Sequence, residues 1–277
     1  MDSQLRVIVL QLKSVDHVQK NVDLVQTLLD PLAREEKTAL VCLPENALYM
    51  RLKEGERIGG LDLHDECFRQ LALTAKEKNF AIHVGSVPLK WQGRLANSSV
   101  MVLPDGRVSA SYQKIHLFDI ELEGQKPVRE SDVFFHGDTP SVLDLNGWKL
   151  GQSICYDLRF SELYLSYAQQ GVDLILVPSA FLKKTGEAHW HVLLRARAIE
   201  SQCYIIAAAQ AGTHKSESGT RETYGHSLVI DPWGRIIAEA SADCPECLIL
   251  SLDKSGIAKV RSQIPMKMHR RLQKTNA

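Results

Sequence analysis

The sequence of 277 residues lacks the features that would assign it to several large functional classes. It has no excess of either charge, because 33 Lys and Arg balance 33 Asp and Glu. The composition therefore gives no reason to expect nucleic acid or an anionic membrane as a partner. No apolar run approaches the length that spans a bilayer. The first residues also lack the order of a signal peptide, so we expect a cytoplasmic protein.

Cysteine patterns that would indicate a disulfide framework or a zinc site are scarce. Six cysteines in a chain of this size are most consistent with free thiols. Cys244 and Cys247 form a CxxC motif, but a zinc site would need two more ligands. His189 and His191 lie in a predicted helix, where side chains two residues apart diverge, so they make a poor metal pair. We expect neither a metal nor an organic cofactor.

Short apolar runs alternate with helical patterns along the chain, and neither a Pro/Gly/Ser-rich linker nor a fixed-period repeat interrupts them. The pattern predicts single strands at 6–11, 39–43, 80–87, 173–177 and 203–209, and helices at 16–29, 63–78, 160–170 and 187–201. Predicted hairpins cover 97–113, 142–154 and 224–238. This order indicates an α/β fold with mixed sheets packed face to face and helices outside. We predict one domain over residues 1–277, in which residues 264–277 form a C-terminal tail.

The segment around Cys155 carries the most functional information. The apolar-leaning run of residues 148–154 precedes the cysteine, and an amphipathic run of residues 160–170 follows and ends at Gly171. A sharp turn between strand and helix exposes a nucleophile and directs the next backbone N–H groups towards the substrate. A buried thiol at a strand end is the alternative, and this segment alone leaves both possibilities open.

Glu45 and Lys114 occupy positions like that of Cys155, since each stands where a strand ends. Sites in α/β sheets gather at such ends. A carboxylate could take the thiol proton, and an ammonium could favour the thiolate and bind the oxyanion of an attacked carbonyl. Glu45 could also be a loop residue and Lys114 a surface lysine. A Cys–His pair is conceivable as well, although no histidine has the setting of an oriented base.

Three segments together resemble the signatures of the nitrilase superfamily of carbon–nitrogen hydrolases. They are LPE at residues 43–45, YQKIHLF at residues 112–118 and ICYDLRF at residues 154–160. The resemblance continues in the expected order through DPWG at residues 231–234, so it covers nearly the whole chain. It implies a four-layer αββα sandwich and a catalytic triad of Glu45, Lys114 and Cys155.

The resemblance has further implications for the site and the activity. Glu130 matches a second glutamate of the family that positions the substrate or the lysine. The family usually dimerises through helices beside the cysteine turn, which implies a homodimer that uses residues 160–170. Within the superfamily the chain is most similar to Nit-type amidases that hydrolyse deaminated glutathione to 2-oxoglutarate and cysteinylglycine. The implied reaction cleaves a small-molecule amide through a cysteine thioester.

Other activities and the pocket residues stay open at this level. A related ω-amidase would act on 2-oxoglutaramate, a non-catalytic scaffold would hold the same fold, and a redox sensor would use Cys155 as a low-pKa thiol. The candidates for pocket walls are Tyr156, Phe181 and Trp190, although the last two could be ordinary core aromatics. We expect structural ion pairs from Arg159, Arg195, Arg197 and Glu200. The cation that would bind a substrate carboxylate is not assigned.

Overall fold

The computed structural model describes residues 3–53, 58–121 and 127–271. Up to the middle of the chain the elements are β1 (Gln4–Gln11), α1 (Val18–Leu29), β2 (Ala39–Cys42), α2 (Glu66–Lys78), β3 (Phe80–Trp91), β4 (Arg94–Val102), β5 (Val108–Gln113), β6 (Asp119–Ile120) and β7 (Val128–Arg129). The remaining elements are β8 (Val142–Leu145), β9 (Trp148–Gln152), α3 (Ser161–Gln170), β10 (Leu174–Leu176), α4 (Lys183–Ser201), β11 (Tyr204–Ala207), β12 (Ala211–Lys215), β13 (Thr220–Tyr224), β14 (Leu228–Ile230), β15 (Ile236–Glu239), β16 (Glu246–Asp253), α5 (Lys254–Gln263) and α6 (Met266–His269). Short 3-10 turns cover Glu130–Asp132 and Cys155–Arg159.

Two six-stranded mixed sheets form the centre of the fold. The first has the order β16-β1-β2-β3-β4-β5, and the second has the order β15-β14-β11-β10-β9-β8. In each sheet three neighbouring strands are parallel: β1, β2 and β3 in the first, and β9, β10 and β11 in the second. Antiparallel strands complete both sheets. The carboxyl ends of the parallel strands therefore lead into the loops that carry the chemistry described below.

Strand β1 illustrates why the sheet strands are apolar on both faces. Val7 and Val9 belong to the core between the two sheets, whereas Ile8 and Leu10 belong to the core beneath the helices. Side chains alternate between the faces of a strand, so a strand covered on both sides needs a continuous apolar run.

The helices cover the outer faces of the two sheets. Val22 of α1 and Phe68 of α2 pack in the core of the first sheet. Tyr164 of α3 and Leu194 of α4 pack in the core of the second sheet. Three cores thus separate four layers, and the predicted αββα sandwich is confirmed.

The segment predicted as one strand over residues 224–230 is divided in the structure. Tyr224 ends β13, and β14 begins only at Leu228. Between them Gly225 and His226 have φ angles of 79° and 57°, in the left-handed region, which interrupts an extended strand. Several further elements were not predicted: the hairpin of β12 and β13, the short pair of β6 and β7, and helices α5 and α6.

The first residues of the predicted C-terminal tail contact the end of α4. The Gln202 side chain donates a 2.7 Å hydrogen bond to the carbonyl of Ile264, and Arg270 donates one of 2.6 Å to the carbonyl of Glu200. Residues 272–277 of that tail lie outside the described residues. Among the helices of the described ranges, none has the length and apolarity needed to cross a bilayer.

Candidate active site

Cys155 stands at a tight turn between β9 and α3, as its sequence predicts. Its φ angle is 49°, a left-handed conformation that is uncommon for residues other than glycine. Its backbone N–H donates a 2.9 Å hydrogen bond to the carbonyl of Pro178, in the loop after β10. Such strain persists where the surroundings hold it, and active sites are a common place for it. We refer to residues 153–160 as the cysteine turn.

Asp157 holds the cysteine turn in place from within. Its carboxylate is fully buried and accepts hydrogen bonds from the backbone N–H of Ile154 (2.9 Å) and from the Tyr112 hydroxyl (2.8 Å). It also contacts the ring nitrogen Nδ1 of His116 at 2.7 Å. This role was not predicted from the sequence. The sequence feature that could have indicated it is an acidic residue at the start of a helix, two positions after a candidate nucleophile.

Three predicted charged residues meet beside Cys155. The Lys114 Nζ atom lies 2.8 Å from Glu45 Oε1 and 2.8 Å from Glu130 Oε2. Lys114 and Glu45 are 2% and 4% exposed, and Glu130 and Cys155 are 8% exposed. The cluster draws on both sheets, because Glu45 and Lys114 follow β2 and β5 whereas Cys155 follows β9. The structure therefore brings together all four residues that were predicted to be catalytic.

Neutral donors complete the hydrogen bonding of the two carboxylates. The amide of Asn97 donates to Glu45 Oε1 at 3.2 Å and to Glu130 Oε1 at 2.9 Å. Backbone N–H groups of Ala180 and Phe118 donate to Glu45 Oε2 and Glu130 Oε2, at 2.9 and 2.7 Å. Asn97 was not identified from the sequence. One feature of the sequence could have indicated its role. Asn97 and the two serines that follow form a polar run inside strand β4, and all three are buried.

The electrostatic balance keeps the resting thiol protonated. Burial, followed by the negative charge of Glu45, raises the pKa of Cys155 well above its ordinary value, although Lys114 acts in the opposite direction. Burial acts to lower the pKa of Lys114, but Glu130 and Glu45 together raise it well above its ordinary value. Lys114 thus acts in favour of the thiolate, as expected, but burial and the charge of Glu45 outweigh its effect on the pKa of Cys155.

A cleft opens onto this cluster. Its empty space, including the open mouth, is about 740 Å³. The wall of the cleft includes the aromatic side chains of Phe118, Tyr156 and Phe181. The four charged and nucleophilic residues of the cluster also line it. Tyr156 and Phe181 thus line the cleft as predicted.

Trp190 does not line the cleft, which corrects its prediction as a substrate contact. Its ring is 1% exposed and lies behind Phe181, with 4.9 Å between the ring centroids. The indole N–H donates a 2.8 Å hydrogen bond to the carbonyl of His226. Trp190 therefore supports the wall that Phe181 presents to the cleft.

Positive charge reaches the cleft from Arg51, Arg159 and Arg221, which all line it. The Arg159 guanidinium lies 5.5 Å from the ring centre of Phe181 and 5.8 Å from that of Tyr156. Arg159 was expected to be a structural ion-pair partner, and its place on the cleft wall corrects that expectation.

The remaining residues of the predicted ion-pair group do have structural contacts. Arg197 pairs with Glu200 at 2.9 Å and donates to the carbonyl of Leu158 at the end of the cysteine turn. Arg195 donates to the carbonyl of Gly234 at 2.8 Å and is not among the residues that line the cleft.

Comparison with known proteins places this arrangement in a family. A sequence model described as carbon-nitrogen hydrolase matches residues 6–262. The chain belongs to the carbon–nitrogen hydrolase family. A deaminated glutathione amidase of Mus musculus is 39% identical over 273 residues, covering 96% of this chain and 83% of the relative. One of Yersinia enterocolitica is 36% identical over 270 residues, covering 96% and 92%.

Solved structures of this hydrolase family share the fold. The C. elegans NitFhit protein superposes with a TM-score of 0.83 at 32% sequence identity. The match covers 97% of this chain and 65% of the NitFhit chain, so this hydrolase spans about two thirds of that protein. The predicted family and the predicted nitrilase-type fold are confirmed.

Proposed function

We propose that this hydrolase is an amidase in which Cys155 is the nucleophile, Glu45 is the general base and Lys114 stabilises the oxyanion. The observation that supports this most is the contact of Lys114 with both Glu45 and Glu130 beside the buried thiol. An ammonium has three N–H donors. Two donate to the carboxylates at 2.8 Å, and the third is available for the oxygen of a substrate carbonyl.

The acylation step begins with the protonated thiol. Glu45 takes the proton as sulfur attacks the amide carbon, so no free thiolate has to accumulate in the buried site. The carbonyl oxygen becomes an oxyanion, which the Lys114 ammonium and the backbone N–H of Tyr156 stabilise. The protonated Glu45 then gives its proton to the nitrogen, the C–N bond breaks, and the amine leaves. Cys155 is left as a thioester.

The second half of the reaction reverses these roles. Glu45 takes a proton from a water molecule, which attacks the thioester carbon. The resulting oxyanion is stabilised at the same place, and the carbon–sulfur bond breaks as sulfur recovers a proton from Glu45. Glu130 holds Lys114 through both half-reactions, because its Oε2 atom is fixed by the Phe118 N–H. The proposed products are a carboxylic acid and a free amine.

Deaminated glutathione is the substrate that we propose. The Mus musculus and Yersinia enterocolitica relatives carry the name deaminated glutathione amidase. This compound has a carboxylate on the acyl side and another on the leaving cysteinylglycine. Arg51, Arg159 and Arg221 on the cleft wall are suited to bind such groups. The aromatic wall supports the binding of the uncharged middle of the molecule.

The test is a comparison of kcat/KM for deaminated glutathione and 2-oxoglutaramate with the wild-type chain and the Cys155→Ala variant. We expect at least a tenfold preference for deaminated glutathione and no turnover by the variant. A tenfold preference for 2-oxoglutaramate would instead assign the chain as an ω-amidase. Turnover of neither amide would favour the scaffold, and thiol oxidation without amine release would favour the redox sensor.

We also propose that the protein is a homodimer. Apolar side chains are exposed on α4 and on the adjacent β14–β15 hairpin, namely Val192, Ile199, Trp233, Ile236 and Ile237. Ile199 lies against Gly234, so the two parts of this surface are continuous. Predicted helix 160–170, which is α3, packs beside α4. Exposed apolar surface of this kind often forms a protein interface.

Light scattering on the full chain tests the dimer. Ile199→Glu should give a monomer, whereas Leu73→Glu, an equally simple change on the exposed face of α2, should leave the dimer intact. A wild-type monomer at micromolar concentration would contradict the proposal. The six unpaired cysteines support a reducing compartment, and the cytoplasmic location stays a prediction.

A further inference from the structure

We propose that His191, His226 and Glu239 form a binding site for a divalent transition-metal ion, with Zn²⁺ as the best fit. The site lies outside the catalytic cleft, and the proposal does not depend on the amidase reaction. One ligand atom from each of the three residues lies within 4.8 Å of the other two.

The three side chains come from separate elements and meet on Glu239 Oε1. His191 on α4 places its Nε2 atom 2.8 Å from this oxygen, and His226 before β14 places its Nδ1 atom 3.0 Å from it. Glu239 is the last residue of β15. A shared Zn²⁺ with bonds of 2.0–2.2 Å would set these separations at ~3.3 Å. The two nitrogen–oxygen separations would therefore lengthen by a few tenths of an ångström when the ion binds.

The donor types favour Zn²⁺ over the common hard cations. Two imidazole nitrogens and one carboxylate oxygen make a His₂Glu set, which suits zinc and related metals, whereas Mg²⁺ and Ca²⁺ prefer oxygen ligands. The three side chains are 26–32% exposed, so water can reach the fourth position.

His226 reaches the site from a left-handed backbone conformation. Its φ of 57° is left-handed, and it follows Gly225 with a φ of 79°. A non-glycine residue in this region is strained and persists where its surroundings require it. The neighbouring Tyr224 ring lies against the His226 imidazole, with 4.5 Å between centroids, and fixes the plane of that ring.

Two packed side chains connect the site to the catalytic cleft. The His226 carbonyl accepts the hydrogen bond of Trp190, and the Trp190 ring packs behind Phe181 on the cleft wall. A bound ion would therefore join α4 to the strands β14 and β15 and make this wall more rigid. We expect metal binding to raise thermal stability, and we expect the metal-free protein to keep its fold.

The experiment is a titration of the EDTA-treated full chain with Zn²⁺, followed by calorimetry and by the melting temperature. The variants are His191→Gln and Glu239→Gln, and the control is His17→Gln, which removes an exposed histidine at the start of α1. We expect the wild type and the control to bind one ion. Each site variant should bind at least tenfold more weakly and lose the rise in melting temperature.

A Co²⁺ titration separates this site from the thiols of the chain. Binding at His191, His226 and Glu239 should give ligand-field absorption without a sulfur-to-metal charge-transfer band. A strong charge-transfer band would place the ion on cysteine, with Cys155 or the pair Cys244 and Cys247 as its ligands, and would overturn the proposal. Equal affinities of wild type and both site variants, or no binding by the wild type, would also overturn it and leave a hydrogen-bonded cluster only.

Discussion

The ammonium of Lys114 lies as close to Glu130 as it does to Glu45, at 2.8 Å from each carboxylate. Its charge is therefore shared between a base that must move protons and a second carboxylate that has no contact with the thiol among the described hydrogen bonds. A buried ammonium with one carboxylate would draw that carboxylate fully to itself. The second carboxylate leaves Glu45 freer to accept the Cys155 proton.

The role of Glu130 can be tested by Glu130→Gln. The amide keeps the size of the side chain but removes its charge, so Lys114 should shift towards Glu45 and lose its alignment with the carbonyl oxygen. A displacement of about 1 Å in such a site costs about 100-fold in rate. We expect kcat to fall by about that factor with little change in KM. Asp132→Asn, on the exposed part of the same 3-10 turn, should have no effect. Full activity of Glu130→Gln would contradict its positioning role.

The wall position of Arg159 predicts a dependence on substrate charge. Arg159→Gln should lower kcat/KM for deaminated glutathione by about 10–100-fold, since a hydrogen bond to a charged group contributes about 1.5–3 kcal/mol. Hydrolysis of an amide without a carboxylate should change little. Arg195→Gln is the matched control, because Arg195 contacts Gly234 and lies off the cleft. Equal losses on charged and uncharged amides would point to a structural role for Arg159.

Gly85 controls how closely strand β3 approaches the loop that carries Glu45. A Cβ atom at this position would lie 2.1 Å from the carbonyl oxygen of Leu43 and 2.5 Å from that of Pro44. Backbone atoms cannot move aside as a flexible side chain can, so Gly85→Ala should lower the free energy of unfolding by about 1–3 kcal/mol. Chemical denaturation measures this loss. Gly59→Ala, where the added atom meets nothing within 4 Å, should be neutral. A neutral Gly85→Ala would refute the close approach.

Buried His83 predicts loss of stability in mild acid. It is 1% exposed, and the side chain of Gln152 lies beside it. Burial lowers its pKa to about 4, below the 6.5 expected for an unfolded chain. The unfolded state therefore binds more protons between these values, so stability is full above pH 6.5 and falls as the pH drops towards 4. One such group contributes about 1.4 kcal/mol per pH unit to this slope.

Urea denaturation of His83→Leu at several pH values measures the effect. Between pH 6.5 and 4, the free energy of unfolding of the variant should fall less steeply than that of the wild type. The difference in slope should equal the contribution of about one proton. His214, whose pKa burial also lowers to about 4, should account for part of the slope that remains. His64→Leu, at an exposed position, should keep the wild-type slope. An unchanged slope in His83→Leu would show that this imidazole does not control acid stability.

The sequence predicted the positions of the catalytic groups better than their surroundings. Glu45, Lys114 and Cys155 could be found because each follows a strand, and strand ends are set by local patterns of apolar residues. Asn97 could not be assigned in this way, since its partners Glu45 and Glu130 are 52 and 33 residues distant. Arg159 was misjudged for a similar reason, because only the folded chain places it over Phe181.

The irregular segments were harder to predict, and the reason is again physical. Residues 224–230 have the apolar content of a strand, and only the left-handed conformations of Gly225 and His226 divide them. Helix α4 begins at Lys183 instead of the predicted residue 187, because the polar first turn has no apolar periodicity. The hairpin of β12 and β13 is held together by pairing between two mostly polar strands. Such strands lack the alternation of apolar and polar residues from which a strand is predicted.

Proton transfer from Cys155 to Glu45 during formation of a thioester is the central claim, and one measurement tests it most directly. Wild type, Glu45→Gln and Cys155→Ala are mixed with deaminated glutathione, quenched in acid within one turnover and analysed by mass spectrometry of the peptide that contains residue 155. The wild type should carry the 2-oxoglutaryl group on Cys155 with stoichiometric release of cysteinylglycine. Acylation of Glu45→Gln should be at least about 100-fold slower, and Cys155→Ala should carry no adduct. Release of cysteinylglycine by Cys155→Ala, or acylation of Glu45→Gln at the wild-type rate, would contradict the account.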